Sequence, residues 1–296
     1  DVRRLIALGV PGSFAAGITQ INIVVSQQIA SLQDGAVALL YYADRLYQLP
    51  LGVVGIAMGV ALLPTLSRRL RADDQDGARN AMNRALEMSM ALTVPAAVAM
   101  IVMPNFLVEG LFMRGSFTLQ TARETALAVQ AFAVGLPAFV LIKVISPGFF
   151  ARQDTKTPMQ FAGLSMIVNI VAGLALFFLI RQQFPEYGHA GLAAATSLAG
   201  WINAVMLIVT LRRRAGLNID DRLKSRIVRV LLASAVMGIA LALAVSQADL
   251  VISLAFGSQL LALVLVSGAG LVVFGLASIV TGALRPSEVM DALGRR

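Results

Sequence analysis

The sequence predicts an all-α polytopic membrane protein with eight transmembrane helices. Three observations predict it. Apolar residues fill 58% of the 296 positions and charged residues only 14%, where a soluble domain carries about 25% charge. The apolar residues run in uninterrupted stretches of about 20, the length that crosses a bilayer as a helix. The basic residues gather in every second connection between those stretches. Mean hydropathy is +0.80.

The predicted spans are 5–31, 37–66, 86–112, 123–150, 159–180, 189–211, 228–246 and 256–282. The first is polar inside, with Thr19, Gln20, Asn22, Ser26, Gln27 and Gln28. Thr19, Asn22 and Ser26 share a stripe, which suits either a cavity wall or interhelical hydrogen bonds. The second span holds the most informative stretch, Tyr41-Tyr42-Ala43-Asp44-Arg45-Leu46-Tyr47-Gln48. At helical spacing Tyr41, Asp44, Arg45 and Gln48 fall on one face. An arginine inside a spanning helix costs about 2.5–3.5 kcal/mol on insertion scales, so Arg45 faces protein, water or ligand rather than lipid. Two readings stay open: a structural ion pair, and a cationic site for an anionic substrate. Further along, Gly52, Gly55 and Gly59 allow close helix approach, the last two as a GxxxG pair.

Prolines at 11, 50, 95, 104, 137 and 147 interrupt the spans. Each frees a carbonyl and bends its helix, which neighbouring helices re-satisfy in a membrane. The fourth span carries a second cation, Lys143, about 10 Å from the end of its helix. It either snorkels to the interface or lines a cavity with Arg45. The seventh and eighth spans are almost wholly apolar, and the fifth and sixth carry Asn169 and Thr196.

The basic connections set the orientation. Of 24 lysines and arginines, 19 flank the termini and the links at 68–84, 152–156 and 212–229, and three, Arg114, Arg123 and Arg181, lie on the other side. Both ends of the chain are therefore expected in the cytoplasm. The same topology accounts for the net charge of +8, which otherwise suggests a nucleic-acid partner; no nucleic acid is expected. The absence of cysteine excludes disulfides and thiolate sites, and the single histidine, His189, excludes a multi-histidine metal site. The chain opens Asp1-Val2-Arg3-Arg4 without methionine or signal peptide, which reads as a start partway through a longer protein.

Several short stretches, in order and in matching loops, resemble one family. They are Tyr41-Tyr42-Ala43-Asp44-Arg45-Leu46 with Gln48-Leu49-Pro50-Leu51-Gly52, and Leu63-Pro64-Thr65-Leu66-Ser67-Arg68. Then come Leu111-Phe112-Met113-Arg114-Gly115-Ser116-Phe117, Phe150-Ala151-Arg152-Gln153-Asp154-Thr155-Lys156-Thr157-Pro158 and Gly188-His189-Ala190-Gly191-Leu192-Ala193. The family they resemble is the MurJ (MviN) lipid II flippases, within the multidrug/oligosaccharidyl-lipid/polysaccharide exporters. The resemblance implies fourteen helices, as two six-helix lobes around a V-shaped cavity plus two C-terminal helices. By it, residues 1–212 are the second lobe, 213–296 the last two helices, and the N-terminal six-helix lobe a missing partner.

The activity so implied is movement of lipid II, an undecaprenyl-pyrophosphate-linked precursor of peptidoglycan, across the bacterial cytoplasmic (inner) membrane by alternating access. Such a protein is a transporter, not an enzyme, and its other partners are membrane lipids. Arg45 matches the family's cavity arginine on the eighth helix. An arginine fork suits a pyrophosphate, and the candidate substrate residues are Arg45, Asp44, Gln48, Tyr41, Lys143 and Asn22. Some members bind sodium on helices seven, eleven and twelve; the matching places here are Ser26, Asn169, Gly173 and Thr196, without a carboxylate. Ser26, Asn169 and Thr196 are thus the candidate ion site. No cofactor is expected, and coupling to membrane potential or to a monovalent ion stays open. The alternatives are export of another polyprenyl-linked oligosaccharide or a drug, and a non-transporting scaffold for cell-wall assembly.

Overall fold

A computed structural model describes residues 17, 20–215 and 220–283, without the side chains of 56–60 and 215. The described chain is helical. Helix α1 covers 20–30. It is followed by α2 (Ala36–Arg71), α3 (Gln75–Val102), α4 (Pro104–Phe112), α5 (Leu119–Phe150), α6 (Lys156–Gln183) and α7 (Gly188–Ala215). The chain closes with α8 (Asp221–Ser246), a short α9 (Ala248–Leu254) and α10 (Gln259–Thr281). Among the described residues six helices, α3, α5, α6, α7, α8 and α10, are long and apolar enough to cross a membrane. Pro11, Thr19 and the start of the first predicted span lie outside the described residues.

The helix starts follow local chemistry. Asp74, Thr118, Asp220 and Ser258 are N-caps whose side-chain oxygens accept a backbone N–H from the first turn. Prolines 50, 64, 95, 137 and 147 lie inside α2, α3 and α5. Pro104 acts differently. The predicted third span, 86–112, is broken at Met103, and Pro104 occupies the first turn of α4, where a missing N–H costs nothing. The amide of Gln130 on α5 donates to the carbonyl of Ile101 at 2.9 Å, satisfying an acceptor that the break exposes.

The main core is formed by α2, α3, α5, α7 and α8, with residues such as Leu66, Leu136, Ile145 and Leu207 buried. A second cluster joins the end of α3 and α4 to α8, α9 and α10. A third ties α1 and α2 to Phe177 and Leu192 on α6 and α7. Close approach rests on small residues: a Cβ at Gly135 would lie 2.4 Å from the Ser197 hydroxyl oxygen, and one at Gly191 2.7 Å from the Leu176 backbone. The glycines of α2 behave otherwise than expected. Gly52 has open space before it, and Gly55 faces the stem of Lys143 rather than a helix backbone. The side-chain surroundings of Gly59 lie outside the described residues.

The connections sort into two groups at opposite ends of the bundle. At one end Arg84 pairs with Asp220, and Arg214 lies 3.5 Å from Asp154 and donates to Thr157. At the other, Gln33 donates to the carbonyl of Glu186, and Gln120 to its carboxylate. The basic links at 68–84, 152–156 and 212–229 thus share an end, as the charge pattern requires.

Candidate functional site

The stripe predicted on α2 is present and faces out of the bundle. Ala43 and Leu46 are buried in the core, while Tyr41, Arg45 and Gln48 are exposed and Asp44 is half-buried. Arg45 donates to the Tyr41 hydroxyl at 2.6 Å, and its guanidinium carbon lies 4.6 Å from that ring's centroid. Gln48 donates to Asp44, which also accepts from Tyr47. Tyr47 is held in turn by the rings of Phe132 and Phe139, at 4.9 and 5.6 Å. Asp44 is therefore engaged by Gln48 and Tyr47, and the guanidinium by Tyr41. Among the described residues the two charges are neighbours without a direct ion pair, and the Arg45 side chain is exposed.

Lys143 belongs to the same surface. It is exposed, and its stem would lie 3.2 Å from a Cβ at Gly55. Gly55 follows Asp44 and Gln48 by eleven and seven residues, whole helical turns on the same stripe. The two cations therefore stand on one wall, about 15 Å apart along α2. This suits a row of positive charge better than an isolated lysine reaching for an interface.

Asn22 does not join Arg45. It accepts from the amide of Asn169 at 2.8 Å, and Asn169 accepts from Thr196 at 3.2 Å. These three side chains line a pocket of about 170 Å³ with Ser165 and Asn203. Asn22 thus lies with the Asn169–Thr196 set, and Ser26 is not among the residues lining that pocket. The Asn22 oxygen accepts from the Asn169 amide N–H and the Asn169 oxygen from the Thr196 hydroxyl, and no carboxylate is among the residues lining the pocket. Among the described residues no group of acidic or histidine side chains is placed to hold a metal.

Two polar arrangements were not foreseen from the sequence. His189, fully buried, ties the α1–α2 and α6–α7 connections to α5. Its backbone N–H donates to Gln33 Oε1 at 3.0 Å, and Gln33 Nε2 reaches the Glu186 carbonyl at 2.7 Å, which fixes the amide's orientation. The ring Nε2 lies 2.8 Å from the Glu124 carbonyl and therefore carries the proton, leaving Nδ1 to accept from Gln33 at 3.2 Å. The second arrangement surrounds Glu87 on α3, which is 6% exposed. It meets Arg226 at 2.8 Å, Arg222 at 3.5 Å and Arg84, which also pairs with Asp220. A carboxylate within a predicted span was the available signal. Outside the spans, the Gly77 N–H and then Arg69 hold the Asp74 carboxyl below its usual range.

Comparison with known proteins adds the lineage. A family model described as "Lipid II flippase MurJ" matches residues 1–279. The probable lipid II flippase MurJ of Rhizobium meliloti (strain 1021) is 46% identical over 83% of this chain and 44% of its own length. That of Rhizobium tropici is 44% identical over 80% of the chain and 43% of its own. The chain thus spans less than half the length of these relatives. Among solved structures, a lipid II flippase MurJ in an inward closed conformation superposes with a TM-score of 0.74 at 23% identity, covering 98% of this chain and 55% of that one. A MATE transporter in complex with MaL6 superposes at 0.62 with 18% identity, over 94% and 62%. At such identities the likeness shows the fold. The sequence relatives and the family model decide the lineage: this chain belongs to the MurJ lipid II flippase family.

Proposed function

We propose that this chain is the second half of a lipid II flippase, working with an N-terminal six-helix lobe by alternating access. Residues 1–212 form the second lobe and 213–296 the last two helices. All eight predicted spans cross the bacterial inner membrane, with both ends in the cytoplasm. The protein moves its substrate without making or breaking bonds. The observation that carries the proposal is Arg45. It is a permanent charge on an outward stripe of α2, held by Tyr41 and aligned with Lys143. A pyrophosphate is a compact polyanion, and an exposed guanidinium offers it a planar pair of donors. Membrane potential is the energy source that this site accommodates, since a bound polyanion with its cations moves charge through the field.

The test is complementation of a flippase-depleted strain at native expression. Arg45→Ala in the full-length protein abolishes growth support while abundance stays normal, and Arg45→Lys restores it poorly because an ammonium lacks the fork. Normal growth on Arg45→Ala overturns the proposal.

A further inference from the structure

The link between α8 and α10 carries more structure than a turn. Between Arg229 and Arg285 the sequence holds one charged residue, Asp249. From Arg229 to its end at Ser246, α8 runs about 26 Å. The 23 residues of α10 run about 34 Å. Both lengths suit the roughly 30 Å hydrocarbon core of a bilayer, and both helices are long and apolar enough to cross one. Residues 247–258, which join them, therefore lie at the level of the lipid headgroups. They fold into α9 and a closing turn.

At helical spacing the side chains of α9 fall into three sectors. Ala248, Val251, Ile252 and Ala255 face the bundle, packed with α4, α8 and α10. Asp249 and Ser253 form an exposed polar stripe. Leu250 and Leu254, 56% and 69% exposed, form an apolar stripe between the polar one and the packed face. A helix standing in water is polar wherever it is not packed. One lying along a bilayer beside its own bundle meets three surroundings in this arrangement: protein at the side, water above and hydrocarbon below.

Phe256 extends the apolar stripe past the end of the helix. It is 92% exposed, and among the described residues no large apolar side chain is more so. Its φ of 54° is a left-handed backbone that a bulky residue rarely adopts. The Gly257 N–H on the Ile252 carbonyl and the Ser258 N–H on the Ala255 carbonyl, both at 2.9 Å, close the turn that presents it. The link has no lysine or arginine, so its affinity for a membrane comes from apolar burial and not from attraction to anionic headgroups.

We propose that α9 and Phe256 form an interfacial anchor on the bilayer surface. Leu250, Leu254 and Phe256 dip into the acyl region, and Asp249 and Ser253 face water. The anchor rests on α8 and α10 crossing the membrane, as proposed above, and with both chain ends in the cytoplasm the surface is that of the outer leaflet. It is independent of the Arg45 stripe.

The experiment uses the full-length protein, freed of any other cysteine, in nanodiscs of phosphatidylglycerol or phosphatidylcholine. Asp249→Cys, Ser253→Cys, Leu254→Cys and Phe256→Cys each carry a nitroxide, and its accessibility to oxygen and to a water-soluble nickel chelate is measured. Labels at 254 and 256 meet oxygen in preference to nickel, and labels at 249 and 253 show the inverse ratio. The depths are the same in the two lipids, because no cation takes part. Nickel reaching all four labels alike places the link in water and overturns the proposal. Labels at 254 and 256 shielded from both reagents show the stripe covered by protein, by the other lobe or a second copy, and overturn it as well. Insertion in phosphatidylglycerol alone overturns the apolar basis of the anchor.

Discussion

Glu87→Ala tests how α8 is held against the rest of the bundle. The carboxylate is 6% exposed and lies 2.8 Å from Arg226, itself 5% exposed, with Arg84 and Arg222 alongside. Removing it takes away a counter-charge of a buried guanidinium and adds one net positive charge to the cluster. Breaking a buried pair by deleting one partner costs about 3–5 kcal/mol. Spread over a chain of this size, the loss lowers the melting temperature by roughly 5–10 °C. The assay is thermal stability in detergent, followed by fluorescence-detected size exclusion. Glu87→Gln keeps one accepting oxygen in place and loses less. Glu87→Leu combined with Arg226→Leu recovers much of the stability, since replacing both members of a buried pair removes the desolvation cost together with the attraction. An unchanged melting temperature for Glu87→Ala, or no recovery in the double variant, refutes the argument.

Topology gives a second expectation: in this cysteine-free chain, Ser116→Cys is labelled from outside intact cells and Ala72→Cys only after permeabilisation. Labelling of position 72 from outside reverses the orientation. Gly135→Val places a branched side chain where a Cβ already lies 2.4 Å from Ser197, and overpacking of this kind costs about 1–3 kcal/mol. Gly52→Ala, with open space before it, is neutral in the same melting assay. The fourth expectation concerns acid. Asp74 has a folded pKa below its ordinary 3.8, so its contribution is fully present above that value and is lost as pH falls through the folded one. Asp74→Asn lowers stability at neutral pH, and its difference from wild type shrinks toward acid. A constant difference across that range refutes the assignment.

Much of the fold was legible because hydropathy and charge act at the scale of whole helices. The runs 123–150, 159–180 and 189–211 lie within α5, α6 and α7, each helix extending a few residues beyond the run. The run 86–112 misled because hydropathy is blind to a backbone break, and only Pro104 marked where one helix ends and the next starts. The site was legible in part. Periodicity alone put Tyr41, Asp44, Arg45 and Gln48 on one face, since all four belong to one helix. Whether Lys143 joined them depended on a contact across helices, and the stem against Gly55 supplies it. Asn22 depended on contacts across helices in the same way: it accepts from Asn169 on α6, which in turn accepts from Thr196 on α7. The Glu87 cluster spans more than 130 residues of chain and is read only from the packing of α3 on α8.

His189 is the only histidine in the chain, and both of its ring nitrogens are spoken for, by Glu124 and Gln33. Its two nitrogens therefore differ in kind, one bearing hydrogen and the other a lone pair. Labelled with nitrogen-15, a protein carrying one imidazole gives two well-separated resonances that need no assignment by mutagenesis. Loss of the Gln33 contact would let the tautomers exchange and draw those frequencies together. The chain thus has a built-in spectroscopic gauge at the rim where α1–α2, α5 and α6–α7 meet, readable without attaching a dye or spin label.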